Sequence, residues 1–147
     1  MKGSVLLAGL VMLSITGCSE NTQQPPDEEV FEGILEVEDL IEPNPTDRIK
    51  RDEVRFTVRG TDYRIDHLTD STGICGSGGE IGGFGSNRIT LSPVFTIPAG
   101  GCDSARIPRG QFKASFRNDS LIIGTDTLSF PAQDPIRSYA YTFRLSK

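Results

Sequence analysis

"EVRFTVRGTDYRIDHL", residues 53–68, alternates apolar and polar side chains on both sides of Gly60-Thr61-Asp62. Val54, Phe56 and Val58 fall on one face, with Glu53, Arg55, Thr57 and Arg59 on the other. A helix would scatter these three apolar residues around its circumference, whereas a strand lines them up. The period of two therefore predicts a half-buried strand. The turn then sends the chain back with Tyr63, Ile65 and His67 on one side, as a hairpin.

The same period recurs outward from that hairpin. "GQFKASFR" (110–117) aligns Phe112, Ala114 and Phe116, turns at Asn118-Asp119 and continues as "SLIIG". "TLSF" (127–130) carries Leu128 and Phe130, and the carboxyl-terminal "SYAYTFRLSK" aligns Tyr139, Tyr141, Phe143 and Leu145. Weaker strands are predicted at "VFEGILEV", around Ile81, at "RITLS" and at "VFTI". The sum is eight to nine strands and no convincing helix. Short antiparallel strands must pack as two sheets or close on themselves to hide their edges. The expectation is an all-β domain, a small antiparallel meander β-barrel or a β-sandwich. Phe56, Tyr63, Phe84, Phe95, Phe112, Phe116, Phe130, Tyr141 and Phe143 are the candidate inward aromatics. They are read first as core and second as the lining of an apolar pocket.

The pattern GxFxxxFxNDSLxI, formed by Gly110, Phe112, Phe116, Asn118 to Leu121 and Ile123, resembles the hairpins of lipocalin-like small β-barrel lipoproteins. The likeness extends over residues 50–145 and implies a meander barrel.

At the amino end, Lys2 precedes an apolar run from Val5 to Ile15, then Thr16-Gly17-Cys18. That run is too short for a bilayer core, which needs about 20 residues, and reads as a secretory signal peptide. Ile15-Thr16-Gly17-Cys18 resembles the lipobox of bacterial lipoproteins. The resemblance implies cleavage before Cys18, lipidation of its thiol and acylation of the new amino terminus. Ser19 then implies the outer membrane, while Glu20 leaves display at the surface open. The expected organisation is a signal peptide over 1–17, a lipidated terminus and polar tether over 18–29, and one all-β domain over 30–147. "SENTQQPPDEE" (19–29) holds no apolar anchor and is too polar to fold alone.

Loss of Lys2 with the leader takes the formal net charge from −5 to −6. An acidic chain is unsuited to nucleic acid, which selects clustered Lys and Arg. It is equally unsuited to electrostatic binding of anionic lipid, so the acyl chains are expected to carry membrane attachment.

With Cys18 lipidated, Cys75 and Cys102 remain, and export delivers them to an oxidising compartment. A disulfide is the favoured reading. A metal site using both with His67, the only histidine, is the alternative, but no Cys-x-x-Cys spacing supports it. "CGSGGEIGGFGSNR" (75–88) has no Gly-Lys-Ser/Thr ending and runs into a strand, so it reads as bends and a hairpin turn rather than a phosphate loop. A milder reading leaves it as a glycine-rich rim open to a partner.

His67, near Asp66 and Asp70, lacks a nucleophile motif. Glu28, Glu29, Glu32, Glu36, Glu38, Asp39 and Glu42 read as a solvated acidic stretch, and "EPNPTD" (42–47) offers too few oxygens for calcium. Arg55, Arg59 and Arg64 read as a solvated face. No cofactor motif is present in the sequence. The expected function is non-catalytic, binding a small apolar ligand or an envelope protein at one barrel end. A filled-core structural or inhibitory module is the alternative, and an enzyme comes third.

Replacement of Cys18→Ala is expected to abolish incorporation of a fatty-acid probe. Continued labelling would remove the lipobox reading.

Overall fold

A computed structural model describes residues 27–69, 73–98, 100–125 and 139–147. The leader, Cys18, Asp70, the "TLSF" segment and Phe130 lie outside the described residues.

Eight antiparallel strands follow one another around a closed barrel, each paired with its neighbours in sequence. They are β1 (Glu28–Asp39), β2 (Ile49–Arg59), β3 (Asp62–His67), β4 (Gly76–Gly82), β5 (Arg88–Ile97), β6 (Gly110–Arg117), β7 (Ser120–Thr125) and β8 (Tyr139–Ser146). The first strand begins two residues before the expected boundary at Val30, because Glu28 and Glu29 already pair with Arg59 and Val58.

The opening hairpin has the anticipated register. Val58 faces Tyr63 and Phe56 faces Ile65, all four buried. The turn has Gly60 at positive φ, which its missing Cβ makes inexpensive. Apolar residues from every strand fill the interior in the same way. Phe56 stands at its centre, 6.0 Å from the Tyr63 ring and 5.9 Å from that of Phe143. Each such burial is worth about 1.5–3 kcal/mol. The exposed cross-strand pairs outside, Glu32 with Arg55 and Glu36 with Arg51, contribute at most about 1 kcal/mol each. The interior holds the barrel, and the ion pairs reinforce register.

Closure depends on β1, which pairs with β2 along one edge and with β8 along the other. At Gly33 the backbone of β8 passes close to β1, since a Cβ there would overlap the main-chain carbonyl of Arg144.

Two expectations are corrected. "RITLS" and "VFTI" form one strand, β5, interrupted by a register shift opposite Gly78 and Gly79. The shift skips Val94, so side chains beyond it change face. Phe95 consequently leaves the core and lies over Gly78 on the outer surface, where only glycine leaves room for the ring. Phe116 keeps its inward parity but sits at the rim, 36 % exposed, edge-on to Phe84 at 5.3 Å. The chain also makes two short helical turns, α1 (Pro45–Arg48) and the 3-10 turn Ser104–Arg106. Asn44 caps the first, accepting from the Thr46 amide at 3.1 Å, with Pro45 supplying a fixed φ.

Gly33→Ala should lower stability by about 2–3 kcal/mol in urea unfolding, as overpacking does. Gly124→Ala, where a Cβ meets open space, should be neutral or slightly stabilising. Equal effects would dissociate closure from Gly33.

Candidate functional site at the loop end of the barrel

The meander sorts its connections by length. Gly60-Thr61, Gly83–Asn87 and Asn118-Asp119 make tight turns at one end, together with the start of β1 and the end of β8. The described parts of the longer connections, 40–48, 68–69 with 73–75, and 98 with 100–109, lie at the opposite end, where β7 stops and β8 starts.

Two of these long connections are stitched together over the barrel mouth. Cys75 and Cys102 form a disulfide with Cα atoms 4.9 Å apart, so their sulfurs ligate each other rather than a metal. Beside it Ile74 bridges Asp103 in parallel fashion, and the Asp103 amide donates to the Gly73 carbonyl at 3.4 Å. The Asp103 carboxylate accepts from the Ala105 amide at 2.8 Å, capping the 3-10 turn. Arg106 then lies 6.0 Å from the centre of the Tyr139 ring. Ile74 and Ile107, one from each loop, are buried as plugs. Tyr141 closes the arrangement from below, its hydroxyl donating to the Ile107 carbonyl at 3.3 Å. Burial pushes the Tyr141 phenol well above its usual range, so it stays a donor.

Beneath this plug the interior carries polar groups among hydrocarbon. The His67 side chain is nine-tenths buried, with Nδ1 3.8 Å from Oδ2 of Asp52. That is too long for a hydrogen bond, and neither ring nitrogen has a partner. The Tyr63 and Ser77 hydroxyls face one another in the core without completing a bond of good geometry. Burial raises the Tyr63 pKa, offset only in part by Ser77 and Arg109. His67 is thus a packed residue and stands apart from the cysteines' chemistry.

The rim of this end is apolar and open. Leu40 and Ile41 lead into α1, Ile49 leaves it, Leu68 follows β3, and Val94 and Phe95 project from β5. Ile41 is 53 % exposed and Val94 75 %. Single exposed apolar residues are ordinary, and this end gathers several of them. Sequence reading placed Phe95 inside and passed over the others. Their only signal was apolar residues within polar connections, as in "LIEPN".

The other anticipated residues are dispersed. Of the glycine-rich stretch, Gly76 to Gly79 are buried between β3 and β5, while Gly82, Gly83, Gly85, Ser86 and Asn87 stand exposed at the β4–β5 turn. The amino-end acids Glu29, Glu32, Glu36 and Glu38 bind Lys147, Arg55, Arg51 and Arg48 respectively, each at 2.7–2.8 Å. Arg64 pairs with Asp66, so the hairpin's basic residues share their face with acids. Among the described residues, no three of His, Cys, Asp and Glu converge as a metal would require.

These features define a closed eight-stranded meander barrel with a disulfide-stitched, apolar-rimmed loop end. Compared with known proteins, no family model, no curated protein and no solved structure matches the chain.

The disulfide closes a separation of 27 residues, for which chain entropy predicts about 3.5 kcal/mol of stabilisation. Cys75→Ala with Cys102→Ala should lose about that much in urea unfolding, with the excess hydrogen exchange concentrated in 73–75 and 100–108. Uniform loss of protection would remove the local role assigned to the cross-link.

Proposed function

We propose that the chain is a non-catalytic, lipid-anchored envelope protein that binds a protein partner through the loop end of its barrel. The observation that carries this is polarity of the topology. The chain reaches the barrel at the turn end, where β1 starts at Glu28, while the long connections and exposed apolar rim occupy the far end. With Cys18 in the outer membrane, as its lipobox resemblance implies, residues 19–27 span roughly 30 Å at most. The barrel adds roughly 25 Å, holding the rim clear of the bilayer.

The packed interior favours a partner surface over an internal ligand. Phe56, Tyr63 and Phe143 occupy one another's space at ring distances of 5.9–6.0 Å. A second reading, a small ligand admitted beneath the two stitched loops, draws on a separate observation. Tyr63, Ser77 and His67 keep unpartnered polar atoms in the interior, and such groups normally have partners.

The test compares capture from an envelope extract by the wild-type chain, by Ile41→Asp with Val94→Asp, and by Glu53→Gln as a wall control. Recovery of a partner should fall more than tenfold for the rim variant alone, with dichroism unchanged. Equal recovery by all three would remove the rim as the binding surface. A bound small molecule in native mass spectrometry of the wild-type chain, with no rim-dependent partner, would select the second reading.

A further inference from the structure

The interior of the barrel is hydrocarbon except along one short diagonal. The inward positions of β3 are Tyr63, Ile65 and His67, and Ser77 of β4 stands opposite Ile65. Ser77 is therefore the diagonal neighbour of both Tyr63 and His67, at the roughly 7–8 Å spacing that longer side chains bridge. His67 is paired with Val54 of β2, which makes Asp52 its diagonal neighbour on the other side. Burial is nearly complete: Tyr63 is 3 % exposed, Ser77 0 % and the His67 side chain 6 %.

Three of these side chains lack what burial demands. The Tyr63 and Ser77 hydroxyls and both ring nitrogens of His67 have no hydrogen-bond partner. Such groups have given up their bonds to bulk water, so a folded chain seldom leaves them unmatched. Asp52 does not relieve His67, because 3.8 Å between Oδ2 and Nδ1 is beyond hydrogen-bond reach. Four unmatched atoms on two paired strands call for a shared partner.

Chemistry selects that partner. A neutral imidazole offers one donor and one acceptor, and each hydroxyl offers both. Burial raises the Tyr63 pKa, which keeps the phenol a donor. The group between them therefore has to donate as well as accept. A metal would need a convergence of ligands that the described residues do not make. An anion would meet the Asp52 carboxylate beyond His67, and an apolar molecule would leave every polar atom unmatched. Water does both tasks, and a buried water makes about three hydrogen bonds to groups of this kind. Tyr63, Ser77 and His67 supply three.

Position gives the water a structural task. The β3–β4 ladder ends at Ile65 and Ser77, while His67 lies beyond it on one strand and Cys75 precedes the other. A water held by Ser77 and His67 links the two walls where backbone pairing stops.

We propose that Tyr63, Ser77 and His67 bind at least one internal water, which joins the inner walls of β3 and β4 at the end nearest Cys75. The inference is independent of the rim surface. It assigns to water the polar groups on which the small-ligand reading drew.

The test is oxygen-17 magnetic relaxation dispersion on the full-length chain. It detects water held longer than the protein takes to tumble and is blind to exchange of hydroxyl protons. The wild-type dispersion should lose the contribution of at least one water in Tyr63→Phe with Ser77→Ala, at unchanged dichroism. Ser77→Val, whose added methyl groups take the water's place, should lose it as well and serves if the double variant does not fold. Glu53→Gln on the outer wall should change nothing. In urea, Ser77→Ala should lower the unfolding midpoint, since removal of a bonded hydroxyl costs stability, whereas removal of an unbonded one from a dry core raises it. Equal dispersion in the wild type and the interior variants, or a raised midpoint, would overturn the proposal. So would an organic molecule released from the denatured wild-type chain and missing from the double variant. Capture of a partner at the rim is read separately, so either reading can fail without the other.

Discussion

The structure depends on one strand satisfying two neighbours. β1 runs twelve residues and pairs on both edges, which removes the open edges that make a sheet prone to association. Closure then imposes an inside and an outside on every other strand, and each alternating pattern has to respect that division. Gly33 is the local condition for it, because β1 and β8 approach too closely there for any side chain. Interior packing, face sorting and the separation of turns from loops all presuppose that seam.

Much of this was legible in sequence. The alternation of Val54, Phe56 and Val58 specified burial residue by residue, since a strand offers only two faces and one was apolar. The pairing of Cys75 with Cys102 was legible through chemistry, as two remaining thiols in a chain read as exported. Phe95 was not legible. Its face is set by one unpaired residue, Val94, opposite two glycines, and the displacement exists only once β4 and β5 are aligned. The rim at the loop end was hidden for a related reason. Leu40, Ile41 and Ile49 belong to no periodic stretch, Leu68 ends one out of phase with its apolar face, and only the topology gathers them at one pole.

Charge illustrates the same division between what a list of residues contains and what register makes of it. A sum over the chain predicts repulsion from anionic surfaces. The alternation of outward positions distributes that sum, giving β1 to β3 mutually neutralising pairs such as Glu32 with Arg55 and Arg64 with Asp66. The exposed ion pairs add little to stability, yet they compensate the acids of β1 locally. Local charge pairing and the apolar interior are products of one register.

The salt bridge between Glu29 and Lys147 places the two ends of the folded chain side by side at the turn end. Whatever is added at either terminus emerges at that pole, and whatever is inserted into a long connection emerges at the other. Lengthening such a connection costs little loop-closure entropy, about 0.6 kcal/mol per doubling, and leaves the seam untouched. The barrel thus separates its chain ends from its sites of variation. Its loop end is free to diversify under selection while its turn end stays constant, and new surfaces can arise without a new fold.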